Sequence, residues 1–282
     1  MLEMIFLIVL ALSWIIVASI QDLKKREVAN WLNFSLIIFA LGFRFFYSLF
    51  SEVGFGFFYQ GLIGLGIFFV LGNAFYYGRM FAGGDAKLFI ALGAVLPFSE
   101  SFLVNVKIFT LFIFLFLFIG GFYGLVWSVV LSLKNLENFK KEFSKNFKKN
   151  RKFIYFVLIF GLIIMLAGFY ENLFFYVGAL IFGLSYFYVY AKTVDECCMT
   201  KKIKVKNLRE GDWLYKDVKV GKKTIKASWD GLTKDDIIFL RKNKKKVLVR
   251  HGIPFVPVFL ISFLILVYLV YQGHLGFLWF YF

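Results

Sequence analysis

KIFTLFIFLFLFIGGFYGLVWSVVLSL, residues 107 to 133, decides the fold class, because after Lys107 it runs to Leu133 without another charge. As a helix, about 20 apolar residues cover the roughly 30 Å of hydrocarbon in a bilayer. The stretch lacks the strand-period alternation that a membrane barrel needs, so bundled helices are the remaining spanning solution. Working outward, further apolar runs cover residues 2 to 20, 31 to 50, 55 to 77, 86 to 98, 153 to 168, 173 to 191 and 254 to 271, which makes eight candidate crossings. Hydrophobic residues form 61% of the 282, with three prolines, which excludes an ordinary soluble domain. The sequence predicts an all-α polytopic membrane protein, a helix bundle of six to eight transmembrane helices with a small cytoplasmic α+β segment.

The formal net charge of +16 does not imply a nucleic-acid partner, because the lysines and arginines lie between the apolar runs and not on an independent face. They set the orientation instead. Glu3 opens the first run and Lys24, Lys25 and Arg26 follow it, the reverse of a secretory signal, so the run reads as an anchor with its amino terminus outside. Alternation then puts residues 23 to 30, Arg79, 134 to 152 and 192 to 251 on the cytoplasmic side of a multi-pass plasma-membrane protein. Glu52, Glu100 and Glu171 fall opposite. This parity requires the run 86 to 98 to cross, although its helix would span only about 20 Å. The expected domains are 1 to 133, five transmembrane helices; 134 to 152, a basic cytoplasmic loop; 153 to 191, a transmembrane hairpin; 192 to 251, a small cytoplasmic domain; and 252 to 282, a final transmembrane helix and tail. Within 192 to 251, strands are expected near 203 to 205 and 218 to 220, and a helix over 233 to 242 capped by Thr233 with Asp236 at its third position. The lysines suit a bilayer with anionic headgroups, at about 1 kcal/mol each.

Cys197 and Cys198 are adjacent and no other cysteine exists; with His251 and His274 they leave too few soft ligands, so no disulfide, metal or cofactor is expected. Gly61, Gly64 and Gly66, and Gly120, Gly121 and Gly124, read as close-packing positions of helices. The 41 phenylalanines receive no functional meaning.

Of seventeen acidic residues, four fall on the far side, two in the basic loop and eight between Asp195 and Asp236, which leaves Asp22, Glu27 and Asp85 at the cytoplasmic membrane edge. Asp22 ends the first run and Asp85 precedes the fourth, so the two carboxyl groups share one depth. Two close carboxylates cannot both ionise: one stays protonated and polarises a peptide carbonyl while the other deprotonates a water. The plainer readings are an ion pair of Asp22 with Lys25 or Arg26, and Asp85 as the N-cap of a helix beginning at Ala86. Gly83 and Gly84 permit unusual backbone angles and close approach of another chain.

Ala82-Gly83-Gly84-Asp85 with the apolar run behind it resembles the Gly-x-Gly-Asp motif of the GxGD aspartyl proteases, with Ala82 in place of the first glycine. The stretch DLKKREVAN from Asp22 to Asn30 is similar to the first cytoplasmic loop of type IV prepilin peptidases, with Ala29 where proline is common. HGIPFVP from His251 to Pro257 resembles the entry to the last helix of archaeal preflagellin and prepilin peptidases. The resemblance implies that Asp22 and Asp85 are the catalytic pair; Gly83, Gly84, Glu27 and Asn30, by their positions beside them, are the candidates for supporting the substrate or the loops. It also implies archaellin or pilin-like precursor proteins as partners, cut at the cytoplasmic side between a basic leader and a hydrophobic helix. Bacterial methyltransferase activity does not carry over, since the cysteine pairs that accompany it are missing. An ion- or proton-coupled transporter using the same aspartates is the alternative, disfavoured by the scarcity of charge at the centres of the runs.

Overall fold

The structure, a computed structural model, describes residues 2–52, 54–220, 223–244 and 246–273; His274 and the rest of the expected tail lie outside the described residues. In chain order its elements are α1 (Leu2–Lys25), α2 (Asn30–Phe50), α3 (Gly56–Tyr77), α4 (Gly83–Gly93), α5 (Phe102–Lys134), α6 (Leu136–Lys149), α7 (Arg151–Ala167), α8 (Asn172–Cys197), β1 (Thr200–Lys204), β2 (Trp213–Leu214), β3 (Val218–Val220), β4 (Lys223–Ile225), α9 (Lys234–Asn243), β5 (Lys246–Arg250) and α10 (Val256–Tyr271). The described residues form two compact units, one from those up to 124 with 253 to 273, the other from those between 125 and 252.

The protein is a polytopic helical membrane protein with a small α+β segment. Among the described residues α1, α2, α3, α5 and α8 are each long and apolar enough to cross, and α6 with α7 would make a sixth span, bent by 76°. The eight crossings expected from the sequence are therefore not all met by length. The run 86 to 98 is the clearest departure: α4 has 11 residues, about 16 Å of helix. It ends because the chain tightens after Gly93, with Ala94 N–H bonded to Ala91 O and Val95 N–H to Leu92 O just before Pro97.

A helix that stops inside apolar surroundings leaves carbonyl oxygens to be satisfied. Here Arg44 of α2 supplies the donors. Its side chain is fully buried; Nε donates to Ala94 O at 2.9 Å, and Nη2 to Val95 O at 3.1 Å and Pro97 O at 2.6 Å. Nη1 donates to Phe57 O at 2.9 Å, and the guanidinium stacks 4.4 Å from the Phe57 ring centroid. Hydrogen bonds to a charged group contribute about 1.5–3 kcal/mol each.

The first unit packs through glycines and aromatic rings. A side chain at Gly61 would strike the Arg44 stem, one at Gly64 the Gly93 carbonyl and Pro97, and one at Gly72 Ile90, so α3 lies backbone-close along α2 and α4. Gly120 likewise makes room for Phe255, whereas Gly66, Gly121 and Gly124 face nothing within 4 Å; packing accounts for only some of the expected glycines. Phe68, Phe89, Phe112, Phe116 and Phe259, from α3, α4, α5 and α10, stack into the core, with Phe116 and Phe259 centroids 4.4 Å apart.

In the second unit, the loop expected over 134 to 152 is instead the helix α6. Leu136, Phe139, Phe143 and Phe147 recur at helical spacing, and Phe139 and Phe147 pack on Tyr190 and Tyr186 of α8. Asn146 Nδ2 donates to Glu196 Oε2 at 2.8 Å. The polar domain has the antiparallel sheet β1-β5-β2 and the hairpin β3-β4 over a core including Leu214, Leu240 and Val249. Thr233 and Asp236 form a full capping box on α9.

Candidate active site

Leu7, Ala11, Ile15, Ala18 and Asp22 are the buried stripe of α1, at spacings of four, four, three and four. Asp22 continues an apolar face, which is why its carboxylate points into the unit and not to the lysines that follow. There Oδ2 accepts the Val256 N–H at 2.9 Å, and the Phe255 N–H also bonds the carboxylate. These are free donors of the first turn of α10, a setting that suits a negative charge. The expected ion pair is thus not the main anchor, although Arg26 lies within electrostatic reach.

Asp85 stands at the third position of α4 and is partly buried. Its N-cap reading is overturned because the helix starts earlier: Ala82 is the capping position, extended at φ −71° and ψ 159°, and the Asp85 carboxylate reaches back to the Ala82 N–H. Ala82 therefore needs no glycine-like angle. Gly83 and Gly84 have no left-handed φ either, and an added Cβ would meet only ordinary contacts at 3.7 Å, to the Tyr76 ring and to Val28. The unusual backbone expected of this pair is absent; the room above it remains.

Two contacts join the aspartate segments. Gly84 lies against the buried Val28, and Lys87 Nζ donates to Asn30 Oδ1 at 2.7 Å, so that Lys87 is held by the loop after Asp22. Within that loop the Ala29 N–H bonds Gln21 Oε1 at 3.1 Å. Asp85 consequently lies within electrostatic reach of Asp22. Glu27 is exposed in the same loop. Left-handed Arg26 (φ 56°) follows Asp22, and Arg79 (φ 60°) begins the turn before Asp85; such angles in bulky residues cost free energy and concentrate at functional loops.

The sequence reading missed Tyr123 of α5, which is in electrostatic reach of Asp22, and the two backbone donors of α10. Distance along the chain hid both. Only the resemblance of HGIPFVP pointed towards the second.

A model of the type IV leader peptidase family matches residues 9–129. That match covers less than half of the chain, and it is a likeness of this segment to the family. The segment contains both aspartates and the helices α2 to α4 that stand between them. The chain is also similar to the preflagellin peptidase of Methanocaldococcus jannaschii, 35% identical over 83 residues that make up 29% of this chain and 35% of that protein. It is 28% identical to the preflagellin peptidase of Methanococcus maripaludis over 131 residues, 44% of this chain and 56% of that protein. The chain thus matches about half or less of the length of these curated relatives. α10, which bonds Asp22, lies beyond the matched segment, so that segment receives part of its candidate site from later sequence.

Proposed function

We propose that the protein is a membrane-embedded aspartyl endopeptidase that removes the basic leader from archaellin or type IV pilin-like precursors at the cytoplasmic face of the plasma membrane. The observation carrying this reading is that the segments of Asp22 and Asp85, 63 residues apart, are joined by the Lys87–Asn30 bond and the Gly84–Val28 contact within the stretch similar to leader peptidases. Lys24, Lys25 and Arg26 after Asp22, and Arg79 before Asp85, support the cytoplasmic placement.

The reaction calls for one carboxyl of the pair protonated and the other ionised. The ionised group takes a proton from water as its oxygen attacks the scissile carbonyl; the protonated group donates a hydrogen bond to the carbonyl oxygen as it becomes tetrahedral. Collapse expels the amine, which leaves with a proton from the pair, and the products are the leader's new carboxyl terminus and the mature amino terminus. Gly83 and Gly84 leave backbone room for the extended peptide, while Asn30 and Glu27 line its approach. Asn30 also keeps Lys87, and so the start of α4, against the loop.

The test is cleavage of an archaellin or pilin precursor by membranes containing wild type, Asp22→Asn or Asp85→Asn, with the shortened product read by mass. Each substitution is expected to lower the rate by at least about 100-fold, the contribution of a positioned acid or base. Cleavage persisting in either variant would remove that residue from the pair. A folded wild type that cuts none of several precursors would overturn the peptidase reading.

A further inference from the structure

We infer that Arg44 is a positioning residue for this reaction, fixing through α4 the depth at which Asp85 stands beside Asp22. The inference rests on Asp85 belonging to the reacting pair. α4 is a short rigid rod with Asp85 in its first turn and the carbonyls of Ala94, Val95 and Pro97 just past its end. At about 16 Å it is too short to be anchored in both water layers. Its height must come from its neighbours.

α2 grips it at both ends. Asn30, the first residue of α2, takes Lys87 near the start of α4, and Arg44, four turns along, gathers the three carbonyls at the finish. The fourth bond, to Phe57 O, ties the same guanidinium to the start of α3. A planar fork with five donors can serve these diverging carbonyls at once, which a lysine ammonium cannot. α3 is shaped for the arrangement, because Gly61 leaves the space that the Arg44 stem fills. A charged side chain with no solvent exposure in a membrane helix is costly and marks a site where its interactions are needed.

The experiment uses the full chain, purified in detergent or nanodiscs, as wild type, Arg44→Lys, Arg44→Met and Gly61→Ala. Rates per folded molecule are read with a precursor peptide, and amide exchange over residues 86 to 98 by mass spectrometry. A displacement on the order of 1 Å at a reacting group lowers the rate about 100-fold. Arg44→Met is expected to lose about that much in kcat, and Arg44→Lys roughly tenfold by restoring part of the donor set, with KM within about twofold in both. Exchange over 86 to 98 should quicken in the same order. Wild-type kcat per folded molecule in Arg44→Met overturns the inference. Should that variant fail to fold, Arg44→Lys and Gly61→Ala, which crowds the stem while keeping the guanidinium, decide it by the same split: reduced kcat with unchanged KM supports the clamp, and unchanged kcat overturns it. If wild type cleaves nothing, the peptidase reading fails separately. The exchange data then decide for or against the clamp on α4 by themselves.

Discussion

At Asp22 the carboxylate meets the backbone of α10 where a solvated helix end would meet water, and at Asp85 it meets the first turn of its own helix. Neither arrangement depends on a second side chain, so substitutions around the pair separate cleanly into those that touch backbone room and those that touch charge. Gly84 is the instructive case. Its φ is ordinary and an added Cβ would sit 3.7 Å from Val28, a normal contact. Replacing a helical glycine with alanine stabilises by about 0.5–1 kcal/mol. Gly84→Ala should therefore raise the melting temperature slightly, while the proposed passage of the peptide backbone beside this glycine predicts a severalfold rise in the KM for a precursor. A stability gain with unchanged KM would show that no peptide backbone passes there. Of the two reasons the sequence offered for these glycines, the structure removes one, unusual backbone angles, and leaves the other, room for close approach.

At the scale of elements, what matters is how closely α3 lies along α4. Gly93 and Gly64 face each other backbone to backbone, and a Cβ at Gly93 would also come within 2.6 Å of the Phe68 Cβ. Overpacking of this kind costs about 1–3 kcal/mol. Gly93→Ala should lower the midpoint of thermal or denaturant unfolding accordingly, and Gly66→Ala, whose position faces open space, should leave it unchanged. Equal midpoints for the two would mean that the α3–α4 contact is looser than described. Glycine spacing in the sequence made no distinction between these positions, since which face of a helix is met by backbone depends on the neighbour. The same limit hid α6, whose lysines dominate its composition although its phenylalanines already stood at helical spacing.

Over the whole molecule, the first unit closes on itself late: α10 returns to pack with α1 and α5, and the bond from Val256 to Asp22 spans 234 positions. A chain truncated after residue 252 keeps the full segment matched by the family model and both aspartates, yet loses α10 and the donors that hold Asp22. It is expected to cleave no precursor in the mass assay, and cleavage by that truncation would show α10 to be dispensable. By itself the sequence determined the class of the protein, because unbroken apolar runs admit one spanning solution, and its charge placement left Asp22, Glu27 and Asp85 as the candidate acids. It also foretold the capped helix of the polar domain, a signal contained within four residues. Only the tertiary structure decided that α4 stops short inside the bundle, that Arg44 completes its end, and that Asp22 is bonded by the last described helix. Each of these depends on hydrogen-bond partners far away in sequence, for which local pattern and hydropathy carry no information.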